Sequence, residues 1–347
     1  MKLKTTVTAL ILSLAFDQYR LGAQQSDADS KQLAQIRLDA EKGNAKAQCT
    51  LGGVYGFGKF GVPRNETEAV KWYHKSADQN FAIGQYNLGA CYANGEGVAK
   101  DEVAAVHWYR KSAEQDFAPA QCNLGNCYLN GRGVSEDQAE AVRWYRKSAA
   151  QNYAFAEYNL GDCYSNGKGV AKDDAKAAYW YLKSADQNVA PAQFNLGFLY
   201  ASGEGVEKNM TTTIKWWRKA AEQNFAPAQY NLGCCFSTGE GTEKNESEAL
   251  KWWRKAAEQN FLQAQYNLGD YYENAEGSAK DNVEAYMWFS LAALQGDENA
   301  KKNLKLIEGQ LTEKQIVEAK KHETDWLKGH RSRWEDEWPN TALKPLG

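Results

Sequence analysis

Apolar side chains recur along this chain at the spacing of helix faces. In residues 117–152, FAPAQCNLGNCYLNGRGVSEDQAEAVRWYRKSAAQN, the residues Ala120, Leu124, Cys127 and Tyr128 fall at i, i+4, i+7 and i+8, which is the stripe of an amphipathic helix. Ala141, Trp144, Tyr145, Ser148 and Ala149 form a second such stripe. The polar and special residues between them supply the punctuation. Pro119 sits near the start of the first helix, where a missing N–H is harmless, and Gly131-Arg132-Gly133-Val134 closes it, because glycine accepts the left-handed backbone of a helix C-terminus. Asp137, with Glu140 three residues on, opens the second helix as a capping box, an arrangement repeated at Asn65/Glu68, Asn245/Glu248 and Asp281/Glu284. Gln151-Asn152 ends it. The pattern predicts two helices of about a dozen residues each, joined by short turns.

The same unit returns through most of the chain. Leu-Gly occurs at Leu51-Gly52, Leu88-Gly89, Leu124-Gly125, Leu160-Gly161, Leu196-Gly197, Leu232-Gly233 and Leu268-Gly269, and a tryptophan at Trp72, Trp108, Trp144, Trp180, Trp216, Trp252 and Trp288. Both series step by 36, with one extra residue near Lys59-Phe60. A helix pair of this size has more apolar surface than it can hide, and stacking on the next copy buries it. Glycine in mid-helix costs about 1 kcal/mol relative to alanine, so seven in register imply a close helix crossing that only a hydrogen side chain permits. The expected fold is therefore all-α, a right-handed α/α superhelical solenoid of seven helix-turn-helix repeats at 44–80, 81–116, 117–152, 153–188, 189–224, 225–260 and 261–296. Residues 24–43 contain a lone helix at 31–42 that should cap the first repeat. At the far end the lysine column Lys75, Lys111, Lys147, Lys183, Lys219, Lys255 changes to Leu291, so something must cover it. The C-terminal capping helices expected over 297–333 fill that role, one at 297–308 and one opening at Thr312 with Gln315 as its capping partner. Residues 334–347 are expected to form a loose tail.

These units resemble the Sel-1-like repeat family, a relative of tetratricopeptide repeats. The shared pattern is A-x-A-Q-x-x-L-G-x-x-Y-x-x-G-x-G-V followed by D-x-x-x-A-x-x-W-Y-x-K-A-A, and residues 225–260 follow it almost throughout. The resemblance covers residues 44–296, about three quarters of the chain. Repeat one departs by its extra residue, and repeat seven by Ala275-Glu276-Gly277-Ser278 in place of Gly-x-Gly-Val. The resemblance implies a curved α-solenoid used for protein–protein interaction, often adaptor-like, in exported or membrane-associated settings.

Composition changes this picture little. Hydrophobic content of 43%, charged content of 24% and a net charge of −3 are those of an ordinary globular protein without a basic nucleic-acid footprint. Twelve Trp and 19 Tyr demand many buried ring sites, and six Pro leave few helix breakers. The N-terminus does add something. A basic Met1-Lys2-Leu3-Lys4 precedes an uncharged apolar run from Thr5 to Phe16, with small residues at Gly22-Ala23. This order is that of a secretory signal peptide over residues 1–23, and the run is too short to span a bilayer, which needs about 20 residues. Cleavage removes three cations and one anion and takes the charge from −3 to −5. The mature chain is then periplasmic or secreted, with no membrane span; without cleavage it is cytoplasmic.

Candidate chemistry dissolves on inspection. The Gly-x-Gly turns lack the Lys-Ser or Lys-Thr of a phosphate loop, and Glu96, Glu204 and Glu240 place negative charge inside them. Ser165 and Lys168 have the Ser-x-x-Lys spacing of penicillin-binding enzymes without a companion motif. Cys91, Cys127, Cys163 and Cys235 share a column with Val54, Leu199 and Tyr271, and Cys49 and Cys122 share one with Tyr86, Tyr158, Phe194, Tyr230 and Tyr266. Cysteine stands there for buried apolar residues. Equivalent helices about 8–10 Å apart exceed the reach of a disulfide, although a diagonal pairing stays open, and an odd count of seven sits uneasily with an oxidising compartment. Secreted cysteine-rich members of the family carry one disulfide per repeat and are described as β-lactamases, but their pairing columns fall here on residues such as Ala113 and Gln121. The four His (His74, His107, His322, His330) occupy non-equivalent positions. No catalytic, cofactor-binding or metal-ligating set is expected.

One polar column carries both a functional and a structural reading. Asn87, Asn123, Asn159, Asn195, Asn231 and Asn267 each precede the conserved-phase Leu, off the apolar stripe of the first helix. First helices line the inner curve in arrays of this kind, so the column is a candidate to bond an extended backbone; the alternative is a brace to the backbone of a neighbouring helix. Of each aromatic pair, Trp72-Tyr73 through Trp288-Phe289, one ring is core and the other packs between repeats. Seven helix pairs at about 10 Å each offer some 60–70 Å of inner surface, enough for about 20 extended residues. The expected role is a binding scaffold for another protein or an extended peptide. A cell-wall or β-lactam hydrolase, by family analogy alone, and a structural self-associating array are the alternatives.

Overall fold

A computed structural model describes residues 28–274 and 281–337, with residues 331–337 described by backbone only. The residue 1–23 segment and the altered turn at 275–278 lie outside the described residues. All regular structure described is helical. The chain divides after Lys172 into two compact units. The first holds α1 (28–41), α2 (Ala45–Phe57), α3 (Glu66–Asp78), α4 (Ala82–Asn94), α5 (Glu102–Ala113), α6 (Ala118–Asn130), α7 (Gln138–Ala149) and α8 (Ala154–Asn166). The second holds α9 (Asp174–Asp186), α10 (Ala190–Ser202), α11 (Met210–Glu222), α12 (Ala226–Thr238), α13 (Glu246–Ala257), α14 (Leu262–Asn274), α15 (Asn282–Leu294), α16 (Glu298–Glu308) and α17 (Glu313–Glu337). The helix pairs fall where the apolar spacing puts them.

The signals at helix ends act as the sequence predicts. Asn65, Asp101, Asp137, Asp173, Asn209, Asn245 and Asp281 each accept a backbone N–H of the following turn, opening every second helix. The first helices α2, α4, α6, α8, α10 and α12 close on a left-handed glycine, such as Gly131 at φ 64°. Their starts use a different device. Asn80, Asp116, Asn152, Asn188, Asn224 and Asn260 all have positive φ, between 57° and 66°. Asn and Asp tolerate that conformation where larger residues do not, and it reverses the chain from one repeat into the next.

Inside six of the repeats the mid-helix glycine meets an aromatic ring. A Cβ on Gly52, Gly89 or Gly125 would lie less than 3.0 Å from the ring of Tyr73, Tyr109 or Tyr145, and one on Gly197, Gly233 or Gly269 equally close to Trp217, Trp253 or Phe289. The core member of each aromatic pair is therefore the second. Tyr145 and Phe289 are fully buried. The tryptophan packs against the preceding repeat: Trp144 shares a cluster with Val106 and Tyr109, and Trp108 rests on that of Val70 and Tyr73. Its outer face lies beneath a lysine, with Lys75, Lys111, Lys147, Lys219 and Lys255 Nζ 3.8–4.7 Å from the ring centroids of Trp72, Trp108, Trp144, Trp216 and Trp252.

A buried polar ladder crosses the repeat junctions. Gln85, Gln121, Gln193, Gln229 and Gln265 donate Nε2 to the carbonyl eight residues earlier, closing the end of the previous second helix. Their Oε1 atoms accept from Gln115, Gln151, Gln223, Gln259 and Gln295 of the following turn at 2.7–2.9 Å or, for Gln259, 2.6 Å. Glu157 holds this column in the fourth repeat and is likewise fully buried.

Both expected caps form. Leu33 and Ala40 of α1 pack on Leu51 and Val54. Leu291 is 1% exposed in a cluster that Trp326 and Leu327 of α17 join, and Thr312 and Gln315 form the expected capping box. One boundary differs. α17 continues through Glu337, past Trp334, because nothing in the sequence between Thr312 and Glu337 stops it.

Candidate interaction surface of the first helices

The outward face of each first helix is set by the burial of the rest. Leu124, Gly125, Ala120 and Cys122 turn inward, which leaves positions 119, 123, 126 and 130 and their equivalents on the other side. Charge is sparse there. α4, α6, α10 and α12 carry no Asp, Glu, Lys or Arg, α2 carries only Lys46, and acidic side chains occur only as Glu157 and Asp162 on α8 and Asp270 and Glu273 on α14. Second helices are the opposite, with Lys or Arg in the last turn of α3, α5, α7, α9, α11 and α13, where a cation complements the helix dipole. Several of those cations are tied down: Arg110 and Arg146 donate to the hydroxyls of Tyr128 and Tyr164, at 2.7 and 2.9 Å.

The asparagine column is half-buried throughout. Asn87 Nδ2 donates to Cys49 Sγ at 3.4 Å, and Asn159 Nδ2 to Cys122 Sγ at 3.4 Å and to Asn126 Oδ1 at 3.1 Å. Tyr145 donates to the same Asn126 oxygen at 2.7 Å. Asn123 bonds Tyr86 and Tyr109, and Asn267 reaches Cys234 Sγ at 3.8 Å and Tyr230. Asn195 is also engaged. Where partners are visible they are side chains of the first helices and core tyrosines, not the neighbouring backbone that a brace was expected to use. Neighbouring first helices run side by side, so their backbone bonds are already satisfied within each helix.

The cysteines occupy the core positions their columns indicate. All seven are free thiols, five buried and two, Cys127 and Cys234, half-buried. Burial pushes the Cys122 thiol up to about 12 and those of Cys91, Cys127, Cys163 and Cys235 up to about 11. Such thiols stay protonated and are poor nucleophiles. The histidines serve packing: His74 meets Tyr92 OH at 3.2 Å and the edge of Trp108, and His330 stacks on Trp326. Among the described residues no three His, Cys, Asp or Glu side chains gather as a metal site, and no helix is long and apolar enough to cross a membrane. Ser165 lies at the end of α8 and Lys168 in the turn beyond it.

Comparison with known proteins agrees with the repeat reading. A family model described as Sel1 repeat matches residues 45–81, 82–117, 118–153, 154–189, 190–225, 226–261 and 262–297, one residue later at each start than the periodicity suggests. A crystal structure of a protective antigen present in uropathogenic Escherichia coli strains, displaying an SLR fold, is 33% identical; the match covers 87% of this chain and 72% of that one, with a TM-score of 0.60. A Sel1 repeat protein from Oxalobacter formigenes is 30% identical over 71% of this chain and 96% of its own, with a TM-score of 0.62. The ERAD-associated E3 ubiquitin-protein ligase component HRD3A of Arabidopsis thaliana is 37% identical over 62 residues, which is 18% of this chain and 9% of that protein.

Proposed function

This chain belongs to the Sel1 repeat family, and from that premise we propose that it is an exported scaffold whose first-helix face receives an extended segment of another protein. Sel1 repeats mediate protein–protein interaction, and the family is typically non-enzymatic. The observation that carries the finer reading is the division of charge. Four first helices are free of charged side chains and present carboxamides and aromatic rings, whereas the second helices carry charges of both signs, with cations in the last turn of α3, α5, α7, α9, α11 and α13. Carboxamides offer both a donor NH2 and an acceptor carbonyl, the complement of a peptide unit, and a neutral surface tolerates many side chains along an extended chain. The asparagines that already brace neighbouring helices are half-buried rather than enclosed, so bracing and binding are compatible roles.

Export rests on the basic, apolar and small-residue order of residues 1–23. The likeness to a protective antigen of uropathogenic Escherichia coli supports a setting outside the cytoplasm. N-terminal sequencing of the protein expressed in a Gram-negative host tests this: a mature chain beginning at Gln24 in the periplasmic fraction is expected, and an intact Met1 in the cytosol refutes it. Affinity capture from an envelope extract tests the scaffold role. A specific partner should bind the mature array and be weakened when Asn123, Asn159 and Asn195 are changed together to Ala, with helicity checked by circular dichroism. Absence of any specific partner contradicts the reading.

A further inference from the structure

The asparagine column is not uniform, and its exception sits beside two other unusual residues. Bracing asparagines bond the positions 37 or 33 residues earlier, as Asn159 does with Cys122 and Asn126. For Asn231 those positions are Phe194 and Phe198, neither of which has a polar side-chain atom. Asn231 makes no side-chain hydrogen bond among the described residues, and its amide is not sealed from solvent. Phe198 itself is 51% exposed. The same column holds Ala90, Asn126, Asp162, Cys234 and Asp270, so no packing demand common to the repeats places a phenyl ring in water there. Asp270, in that column two first helices further on, is exposed; its carboxylate accepts only from Asn274 of its own helix, at 3.0 Å, and enters no ion pair among the described residues. No cation stands on α10, α12 or α14 to neutralise it.

We propose that Phe198, Asn231 and Asp270 form one subsite across α10, α12 and α14 for an extended peptide with an apolar side chain and, about five or six residues away, a lysine or arginine. The inference rests on the scaffold reading above and gives it a ligand chemistry. The spacing follows from geometry: two helix widths of about 8–10 Å each are spanned by five or six residues at ~3.3 Å. The apolar side chain covers the Phe198 ring and removes both surfaces from water. The Asn231 carboxamide donates to one peptide C=O, the donation that its equivalents spend on the neighbouring helix, and accepts from one peptide N–H. Asp270 takes the cation in a charge-assisted pair. Half-buried Cys234 lies between them as an uncharged floor, its thiol kept protonated by burial.

The test is selection of a displayed random dodecapeptide library on the full chain, followed by fluorescence anisotropy with the enriched peptides. An apolar residue and a Lys or Arg five or six positions apart should be enriched. Phe198→Ala, Asn231→Ala and Asp270→Asn should each weaken binding about tenfold or more, with unchanged circular dichroism, whereas Lys215→Ala, at an exposed position of the second helix α11, should change it less than threefold. Asp270→Lys should restore affinity for a peptide whose cation is replaced by glutamate. Enriched peptides indifferent to all three variants overturn the subsite while leaving the scaffold role intact. No enrichment over a blank surface overturns both.

Discussion

Gly125 occupies a position where helix propensity and packing disagree. Alanine would favour the helix by about 1 kcal/mol, but its methyl would enter the Tyr145 ring, which is fully buried and anchored through its hydroxyl to Asn126. Gly125→Ala is therefore expected to destabilise by about 1–3 kcal/mol, the usual cost of overpacking; a urea midpoint at or above that of the parent would show that the ring yields freely. The buried thiols give a second residue-scale expectation. An unfolded thiol ionises near ~8.5, whereas Cys163 holds its proton to about 11 and Cys122 to about 12. The folded state thus binds protons more tightly, so this stabilisation is complete below about pH 8.5 and is lost as pH rises through 11–12. Thermal unfolding followed from pH 8 to 11 should show a falling midpoint, and Cys122→Val should make the fall shallower than in the parent. Iodoacetamide should label the native protein slowly at pH 8 and the urea-unfolded one quickly. Protonated, enclosed thiols also fit residence in an oxidising compartment better than their odd number suggests.

At the scale of elements, Leu291 decides whether the array can end. Its column carries lysine in six earlier repeats, exposed at all but the half-buried Lys183, but α15 is covered by α16 and α17 and Leu291 is buried against Trp326 and Leu327. Leu291→Lys should bury an unpaired cation or release α17, at a cost of several kcal/mol to the docked state. Limited trypsin digestion is the check: cleavage confined to residues 297–337, with the repeats still resistant, is expected, and unchanged resistance of that region would contradict it. The need for these helices was legible in the sequence, since an apolar residue in a solvated column demands a cover. Helix starts and stops were legible for the same local reason, through Asp137, Gly131 and Thr312. The left-handed Asn-Asp column was not, because the Gln-Asn end of a second helix reads equally as frayed turn; only the reversed path into the next repeat fixes φ near 60°.

For the whole molecule, the packing is mainly between successive helices within each unit, so the repeats should be interchangeable in register. Excising residues 118–153, one complete family unit, should leave a folded chain with the same helicity per residue and a lower denaturation midpoint, read by circular dichroism. Loss of all cooperative unfolding would mean that the repeats are not equivalent neighbours. The candidate site was only half legible at this scale. The asparagine period marked the first-helix face, but which asparagine is free to bind depends on what stands across from it on the adjacent helix, Cys122 and Asn126 for one and two phenylalanines for another. The sequence by itself determined the repeat length, the helix limits and the two capping ends, because periodicity, caps and left-handed turns act over one or two helical turns. Only the tertiary structure decided that the second aromatic of each pair meets the glycine, that buried glutamines link successive repeats, and which amides are already engaged. Those outcomes depend on how helices distant in sequence are offset and rotated against one another, and no local spacing encodes that offset.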